Sequence, residues 1–489
     1  MDSQTSGNCG SLDHNMEYDQ HRLPLDCWIS IFSFLNEDDL IRVSCVCKEW
    51  HEAGETPWLW REMCLRRWGF CNLGQLLAAS ERYTWKRYYL HRVNLEHHMK
   101  SGRPGGDYTC KSLRGHKGKV VGFSYLVGNT TLQDIWRCSP VVCSASLDGT
   151  VKAWDIHKGV SLWSSSAGNP VTAIVTDPQQ CVVVTSDSTG AIKSWQGQSG
   201  AELATFSSSS TQCTLLPFYK DGASFLMVGT APGSLLVLSS PFLSEISRHV
   251  VCDSFQINII LSSPDKKWIL ATSKENFDFS PKVFWSASLC SPVEEEDTVF
   301  VSLPVRGCIA AVFLPTQPAR VAVIHHWGPV HHTALSVFDL GMKKSKCNME
   351  AEGQQVESFP LNLKQRHSDI ILHAKGSSTI LLTDGNDLNV YTLKGALIAS
   401  FKDHIQPIIS LCVDSFRVVT ASRDLSLRVL TWKKDQDKAL TLESQYHLLG
   451  GSHTASRGFT GVACDYASIV ASVESVEGKD VLKAYIFNS

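Results

Sequence analysis

Four histidines lie within eight residues, in the segment from His325 to His332. Imidazole nitrogens bind zinc and other transition metals, so this spacing could form a metal site. Two strands joined by a turn at Gly328 and Pro329 explain the same spacing equally well, and the segment contains no carboxylate or thiol that would add a ligand. The pattern therefore favours a pair of strands, and we expect no metal site.

The sequence offers no candidate catalytic residues. The sequence contains no phosphate-binding glycine loop, no nucleophile elbow and no paired metal motif. An enzyme would need a pocket of convergent titratable groups, which a sequence alone does not reveal. We therefore expect a non-catalytic protein without a cofactor.

The composition is typical of a folded protein in a reducing compartment. The chain has 489 residues, with 45 Lys and Arg against 48 Asp and Glu and a net charge of −3, so nothing favours nucleic-acid binding. The polar N-terminus has no apolar signal segment, and no later run approaches the length of a membrane span. The 17 cysteines are scattered in mostly apolar surroundings, which suits free thiols. We expect a soluble cytoplasmic or nuclear protein that binds neither nucleic acid nor membrane.

Short helices are predicted between His21 and Trp68. The first presents an apolar stripe at three- and four-residue spacing, formed by Leu25, Trp28, Ile29, Phe32 and Leu35, while Cys27, Ile31 and Phe34 fall off that stripe. Asn36 can cap a second helix, whose stripe runs through Leu40, Val43, Cys47 and Trp50, and a third is expected near Pro57. Fewer than 50 residues cannot bury this much apolar surface. The cover comes either from a partner or from the rest of the chain.

The same residues resemble a known module. The run LPLDCWISIFSFLNEDDLIRVSCVCKEW, followed by PWLWREM, closely resembles the F-box. This resemblance implies that the partner is the Skp adaptor of a cullin-RING ubiquitin ligase. The residues that it marks as adaptor contacts, some of which can instead belong to the module's own core, are Leu23, Pro24, Leu25, Ile31, Leu40, Val43, Trp50, Leu59 and Trp60.

A domain boundary is predicted after a second helical stretch. The chain is helix-like from Asn72 to Met99, and glycine and proline then interrupt any helix between Ser101 and Gly106. We therefore expect a flexible N-terminus over 1–20, an F-box over 21–68, a helical linker over 69–106 and a β-rich domain over 107–489.

The β-rich part contains repeats. The clearest unit has Gly115-His116, then VCSASLDGTVKAWD ending at Asp155, and it resembles a WD repeat: Gly-His, a Ser before an Asp-Gly turn, and a Trp after it. The spacing indicates a structural hydrogen-bond relay in which Asp148 holds His116, with Ser144 and Trp154 completing the set. A second unit ends at Trp195, one blade length later, with Thr189 where the turn Asp is expected.

Weaker repeats continue to the end of the chain and bring the candidates to seven or eight blades. An F-box followed by WD repeats is similar to the F-box/WD-repeat family. The expected fold class is α + β multidomain: a small helical F-box and helical linker, then an all-β WD-repeat propeller. The resemblance implies the substrate-recognition subunit of an SCF-type cullin-RING E3 ubiquitin ligase. Its partners would be the Skp adaptor, through it the cullin and RING subunits, and a protein substrate, with or without a phosphate group.

Arg423 is a weak candidate for substrate binding. It precedes the turn Asp of the repeat RVVTASRDLSLRVLTW, where some relatives project an arginine that reads phosphate. The corresponding residues of the first two units are Leu147 and Ser188, so no basic cluster joins it. The alternative is a solvated turn residue.

Two further hypotheses accompany the receptor. The chain can be a scaffold that binds the adaptor without delivering a substrate, in which case partner lifetimes would not change on its depletion. It can also be an enzyme with an unrecognised site on the ring.

Overall fold

The computed structural model describes residues 23–68, 84–127, 139–291, 298–328, 332–344, 349–363, 370–434, 440–452 and 454–488. These residues form two compact units that divide between Glu96 and His97. The predicted flexible segment 1–20 and the start of the predicted linker, 69–83, lie outside the described residues. Among the described residues, no helix is both long and apolar enough to cross a membrane.

The first unit is helical. Its helices are α1 (Leu25–Phe32), α2 (Glu37–Val43), α3 (Lys48–Gly54), α4 (Pro57–Trp68) and the first part of α5 (Trp85–Ser101), which continues into the second unit from His97 onward. The prediction of an Asn36 cap is confirmed, since Asn36 Oδ1 accepts a hydrogen bond from the Asp39 backbone N–H at 2.9 Å.

The prediction of a single second helix was wrong, because the chain breaks between α2 and α3. Cys47 has an extended backbone, and its Sγ accepts a hydrogen bond from Trp50 N–H at 3.5 Å, which makes it the cap of α3. This break lets Trp50 turn back onto α1, where its ring lies 5.0 Å from Trp28 and 5.7 Å from Phe32. These three aromatic rings pack together between α1 and α3.

The second unit is a propeller of four-stranded antiparallel sheets, eight of them within the described residues. Blades 1 to 3 consist of β2 (Val120–Val127), β3 (Val141–Ser146), β4 (Val151–Asp155), β5 (Val160–Ser164); β6 (Val171–Asp177), β7 (Val182–Asp187), β8 (Ala191–Gln196), β9 (Glu202–Ser207); and β10 (Cys213–Lys220), β11 (Ala223–Thr230), β12 (Ser234–Ser239), β13 (Glu245–Val250).

Blades 4 to 6 consist of β14 (Ile259–Ser262), β15 (Trp268–Thr272), β16 (Lys282–Trp285), β17 (Phe300–Ser302), with the short helix α6 (Ser286–Leu289); β18 (Arg306–Leu314), β19 (Gln317–Trp327), β20 (His332–Lys344), β21 (Met349–Leu361); and β22 (Leu372–Lys375), β23 (Thr379–Asp384), β24 (Asp387–Thr392), β25 (Leu397–Phe401). Blade 7 consists of β26 (Ile408–Val413), β27 (Arg417–Ser422), β28 (Ser426–Lys434) and β29 (Leu440–Leu449).

Blade 8 closes the ring with strands from both ends of the unit. It contains β30 (Ser456–Cys464), β31 (Ser468–Ser475) and β32 (Val481–Phe487), and its outer strand is β1 (Tyr108–Leu113). Strand β1 pairs antiparallel with β32, with Cys110 opposite Tyr485. The prediction of a WD-type propeller with seven or eight blades is thus confirmed, at the higher number.

Apolar side chains between neighbouring blades form the propeller core. One cluster joins Val182 and Val184 of blade 2 to Leu226, Leu236 and Leu238 of blade 3, and each of these residues is at most 3% exposed. Strands that are covered on both faces lose the simple alternation of apolar and polar residues. This burial explains why blades without a polar relay still form regular sheets.

Candidate functional site

Several predicted adaptor contacts are exposed in the first unit. Leu23 is 46% exposed, Leu25 40% and Ile31 46%, and Pro24 is also exposed. Large apolar side chains cost free energy when they face water, so their exposure on a small helical module favours a surface that binds a partner. Leu25 and Ile31 lie on α1, in which Phe32 is buried.

Other predicted contacts lie inside the module. Leu40, Leu59 and Trp60 are at most 1% exposed, and Trp60 Nε1–H donates to the Gly54 carbonyl at 2.7 Å. The Trp60 ring also lies 5.6 Å from Tyr89 of α5. We therefore assign these three residues to the core of the first unit. Val43 and Trp50 are partly buried, between the two groups.

Three exposed apolar residues were missing from the predicted contacts. Phe34 is 87% exposed, Val46 63% and Trp58 49%. The sequence held a signal for one of them, since Phe34 falls off the buried stripe of the first helix. The exposed apolar residues of the F-box unit that can contact a partner therefore include Leu23, Pro24, Leu25, Ile31, Phe34, Val46 and Trp58.

The predicted relay residues of blade 1 lie together. The His116 Nε2 and Ser144 Oγ atoms are 2.7 Å apart, and Trp154 Nε1–H donates to the same Ser144 oxygen at 2.8 Å. Asp148 lies 3.5 Å from His116 Nδ1, while Thr150 Oγ1 is 3.1 Å from that nitrogen and donates to Asp148 at 2.6 Å. Thr150, which the sequence analysis did not name, therefore links the Asp to the His.

Electrostatics agree with a structural role for this relay. Burial lowers the pKa of His116, although Asp148 opposes the shift. Burial alone would raise the pKa of Asp148, but hydrogen bonds from Thr150 and from the Lys117 backbone N–H hold it below its usual value. The pair is thus a neutral imidazole beside an ionised carboxylate that is satisfied by local donors.

Blade 2 replaces the turn Asp in a way that the spacing did not reveal. Thr189 occupies the expected position, but Asp187, two residues earlier, accepts hydrogen bonds from Thr189 N–H at 2.9 Å and from Thr189 Oγ1 at 2.5 Å. Trp195 Nε1–H donates to Thr185 Oγ1 at 2.9 Å, as Trp154 does to Ser144 in blade 1. In blade 2 the turn carboxylate therefore lies two residues earlier than in blade 1, while the hydrogen bond from the Trp indole is retained.

Blade 7 contains a second His-Asp pair. His404 Nδ1 is 2.9 Å from Asp424 Oδ2, and His404 Nε2 is 2.7 Å from Thr420 Oγ1. The side chains of His404 and Asp424 are 3% and 5% exposed, so this pair is deeply buried. Blades 1 and 7, which carry these pairs, lie on either side of the closing blade 8.

The histidine cluster takes part in strand packing. His325 and His326 lie on β19, and His332 begins β20, while His331 and the predicted turn residue Pro329 lie outside the described residues. His325 Nε2 is 2.9 Å from Ser336 Oγ, and its Nδ1 is 2.9 Å from the His326 carbonyl. Within the described part of the chain, no group of three His, Cys, Asp or Glu side chains is placed to hold a metal ion.

Arg423 lies in the turn between β27 and β28, beside a cavity. Its side chain is 45% exposed, and its Nη1 is 3.1 Å from Glu474 Oε2 of blade 8. Arg457 Nη1 also approaches Glu474, at 3.7 Å. The cavity has a volume of about 510 Å³ and is lined by the inner strands of blades 1, 7 and 8, with Lys119 and Arg423 among its residues. Two cations therefore line this opening, and one of them, Arg423, is paired with the Glu474 carboxylate.

Comparisons with known proteins agree with this architecture. A sequence model of the F-box-like family matches residues 20–66. Human F-box/WD repeat-containing protein 12 is 30% identical over 478 residues, covering 96% of this chain and 99% of the relative. Mouse F-box/WD repeat-containing protein 15 is 25% identical over 470 residues, covering 95% and 98%.

Solved structures show the propeller fold alone. The computationally designed Ika8 protein superposes with a TM-score of 0.55 at 18% identity, covering 77% of this chain and 99% of its own. Sqt1 from Saccharomyces cerevisiae gives 0.55 at 11% identity, covering 78% and 99%. The helical module, the eight-bladed ring and the full-length similarity to the human relative together show that this chain belongs to the F-box/WD-repeat family.

Proposed function

We propose that this protein is the substrate receptor of an SCF-type cullin-RING ubiquitin ligase. The F-box unit would bind a Skp adaptor, and the propeller would bind a protein destined for ubiquitination. The observation that supports this proposal most is the set of large apolar side chains exposed on the F-box unit, above all Leu23, Leu25, Ile31 and Phe34. We propose an intracellular site of action, cytoplasmic or nuclear, where such ligases work.

The energetics of adaptor binding favour this assignment. Burying each large apolar side chain stabilises a complex by about 1.5–3 kcal/mol before the cost of association is subtracted. Four such side chains would contribute about 6–12 kcal/mol, which is comparable with the cost of association, so the rest of the interface has to contribute as well. The buried residues Leu40, Leu59 and Trp60 would act indirectly, by holding the exposed residues in place.

The receptor itself needs no catalytic group. Other subunits transfer ubiquitin, while the receptor raises the effective concentration of a target lysine near the charged conjugating enzyme. F-box/WD proteins typically act as non-catalytic adaptors, which fits this division of labour.

We propose that substrate binds at the cavity beside Arg423. Guanidinium groups recognise phosphate or carboxylate through paired hydrogen bonds. Arg423 is already paired with Glu474, so an acidic substrate group has to compete with that carboxylate for it. This competition predicts weaker anion recognition than a free arginine cluster would provide.

Adaptor binding can be tested with purified full chain and purified Skp adaptor. The double variant Leu25→Asp, Ile31→Asp places charges at exposed positions, so it should fold and yet lose at least tenfold in affinity. Leu162→Asp, at a side chain on β5 with similar exposure of 49%, is the matched control and should bind normally. If the folded double variant binds the adaptor as tightly as the unaltered chain, the F-box proposal fails.

Substrate delivery needs a separate experiment in cells. The full chain and the double variant are purified after proteasome inhibition, and ubiquitinated partners are compared. We expect partners whose ubiquitination requires the intact F-box. If partners bind the propeller equally in both cases and carry no additional ubiquitin with the full chain, the protein is a scaffold rather than a receptor.

A further inference from the structure

The turn between the second and third strands of blade 4 is longer than its counterparts in neighbouring blades. It spans residues 273–281, between β15 and β16, whereas the corresponding turns of blades 2 and 3 span only 188–190 and 231–233. Loops that a rigid scaffold holds in position often carry binding residues. We refer to residues 273–281 as the blade 4 turn.

Hydrogen bonds hold the blade 4 turn on both sides. On one side, the Lys274 backbone N–H donates to Asn258 Oδ1 at 2.7 Å, in the connection that leads into blade 4. On the other side, the Gly307 backbone N–H of blade 5 donates to the Phe279 carbonyl at 3.2 Å. The turn therefore has a fixed conformation although it lies at the surface.

Gly307 allows the blade 4 turn to approach blade 5 closely. Its φ is +63°, and a Cβ at this position would lie 2.9 Å from the Phe277 carbonyl oxygen and 2.7 Å from His326 Cδ2. A side chain there would displace the turn or the imidazole ring. The rings of Phe277 and His326 are also in contact, with centroids 5.0 Å apart. The blade 4 turn is thus packed against the end of β19.

This packing leaves aromatic side chains exposed. Phe277 is 55% exposed, and Trp327, which follows His326 on β19, is 57% exposed. Arg306 lies opposite His326 in the pairing of β18 with β19 and is exposed as well. Within the residues that the structure describes, the Arg306 side chain forms no hydrogen bond or ion pair. We refer to Phe277, Arg306, His326 and Trp327 as the blade 4–5 surface.

The blade 4–5 surface lies on the same face of the ring as Arg423. Equivalent strands of all blades run in the same direction around the central channel, so the turns between second and third strands emerge on one face. Phe277 lies in such a turn in blade 4, and Arg423 in such a turn in blade 7. Blade 4 is opposite blade 8 in a ring of eight, so this surface faces the cavity beside Arg423 across the central opening.

We propose that the blade 4–5 surface binds a bulky apolar side chain of the protein substrate and a carboxylate next to it. Phe277 and Trp327 would cover the apolar side chain, and the Arg306 guanidinium would pair with the Asp or Glu. Aromatic and arginine side chains on a preorganised backbone commonly dominate protein interfaces. The inference rests on the proposed receptor function and adds a substrate class, an extended segment with an apolar residue beside an acidic one.

The charges of the blade 4 turn restrict how such a segment binds. Glu275 and Asp278 are exposed on the turn, where Lys274 is the only cation within residues 273–281. Carboxylates of the substrate are repelled there, so the acidic residue has to lie on the Arg306 side of Phe277.

The test uses the purified full chain and a displayed library of random peptides. Peptides selected on the unaltered chain should share a bulky apolar residue next to Asp or Glu. With a fluorescent label, such a peptide should lose at least tenfold in affinity for Phe277→Ser, measured by anisotropy. Arg306→Gln should weaken binding several-fold, and replacing the acidic residue of the peptide should then have no further effect.

Phe242→Ser is the matched control. Phe242 is 70% exposed in the turn between β12 and β13, which joins a third to a fourth strand and so lies on the opposite face. This variant should bind the peptides normally, and urea unfolding verifies that each variant is folded. The proposal is overturned if no peptide is selected, if the selected peptides bind Phe277→Ser as tightly as the unaltered chain, or if they share no apolar residue.

Adaptor binding separates this proposal from the receptor function. If the adaptor binds while the selected peptides do not depend on Phe277, only the blade 4–5 surface is refuted. If the peptides require Phe277 and no adaptor binds, the surface stands as a peptide-binding site and the receptor function fails.

Discussion

Arg417→Met should destabilise the propeller, because Arg417 is a buried cation at its closure. The side chain is 1% exposed, on β27 of blade 7. Its guanidinium donates to Asp414 Oδ2 at 3.1 Å, and in blade 8 to the Asp465 carbonyl at 2.7 Å and the Ser468 carbonyl at 3.0 Å. Methionine has a similar length and an apolar stem, so the substitution removes mainly these hydrogen bonds.

The expected loss of stability depends on which hydrogen bonds each partner of Arg417 retains in the variant. Asp414 is 27% exposed at its side chain and still accepts from the Phe416 backbone N–H, so it remains partly satisfied. The Ser468 carbonyl also accepts from Asp465 N–H at 3.2 Å. The Asp465 carbonyl loses a charge-assisted bond, and a buried group left unpaired costs about 1–3 kcal/mol. Adding the loss of the ion pair with Asp414, we expect a loss of about 3 kcal/mol in stability, at the low end for breaking a buried ion pair.

The assay is urea unfolding of the full chain followed by tryptophan fluorescence. Arg457→Met is the matched control, since its side chain is 59% exposed and its ion pair with Glu474 is long at 3.7 Å. The control should change stability by no more than about 0.5 kcal/mol. A loss below about 1 kcal/mol for Arg417→Met, or an equal loss for both variants, would refute the argument from burial.

Three further changes test other parts of the propeller. Burial would raise the pKa of Asp424, but the hydrogen bond with His404 helps to hold that pKa below its usual value. The ionised carboxylate therefore stabilises the fold fully above about pH 4, and this stabilisation is lost as the pH falls through the folded-state pKa of Asp424. Asp424→Asn should flatten that acid dependence in urea titrations at several pH values, and an unchanged profile would contradict this. Glu474→Gln removes the carboxylate that competes for Arg423 and should strengthen binding of an acidic substrate several-fold by calorimetry; unchanged affinity would place the substrate elsewhere. Gly149→Ala should cost about 2 kcal/mol or more in urea unfolding, because its φ is +77° and an added Cβ meets a backbone oxygen; a neutral result would show that the turn can relax.

Local patterns in the sequence predicted much of the fold. The three- and four-residue spacing from Leu25 to Leu35 indicated the first helix, and the Gly-His, Asp-Gly and Trp spacing of the first repeat indicated a WD-type blade. Both signals depend on residues near each other in the chain, where backbone periodicity decides which side chains share a face. The same patterns supported the family assignment and the proposed adaptor site.

Tertiary packing decided which of those residues are available for binding. Leu40 and Leu25 look alike in the sequence, yet Leu40 is buried and Leu25 is 40% exposed. The helical spacing also does not encode the change of chain direction at Cys47, which folds α3 back onto α1. The adaptor contacts remain a proposal, and only the tertiary structure shows which of the candidate residues are exposed and which are buried.

The contacts between blades are the part that no sequence pattern indicated. The pairing of Arg423 with Glu474 and the hydrogen bond from Arg417 to the Asp465 carbonyl both join blade 7 to blade 8, and β1 completes blade 8 from the start of the unit. The partners lie far apart along the chain, and the repeat signature does not indicate which of them meet. Closure of the ring brings them together, so the contacts at this junction are a property of the tertiary structure. The helical and strand patterns and the family resemblance, in contrast, depend on residues close together in the sequence.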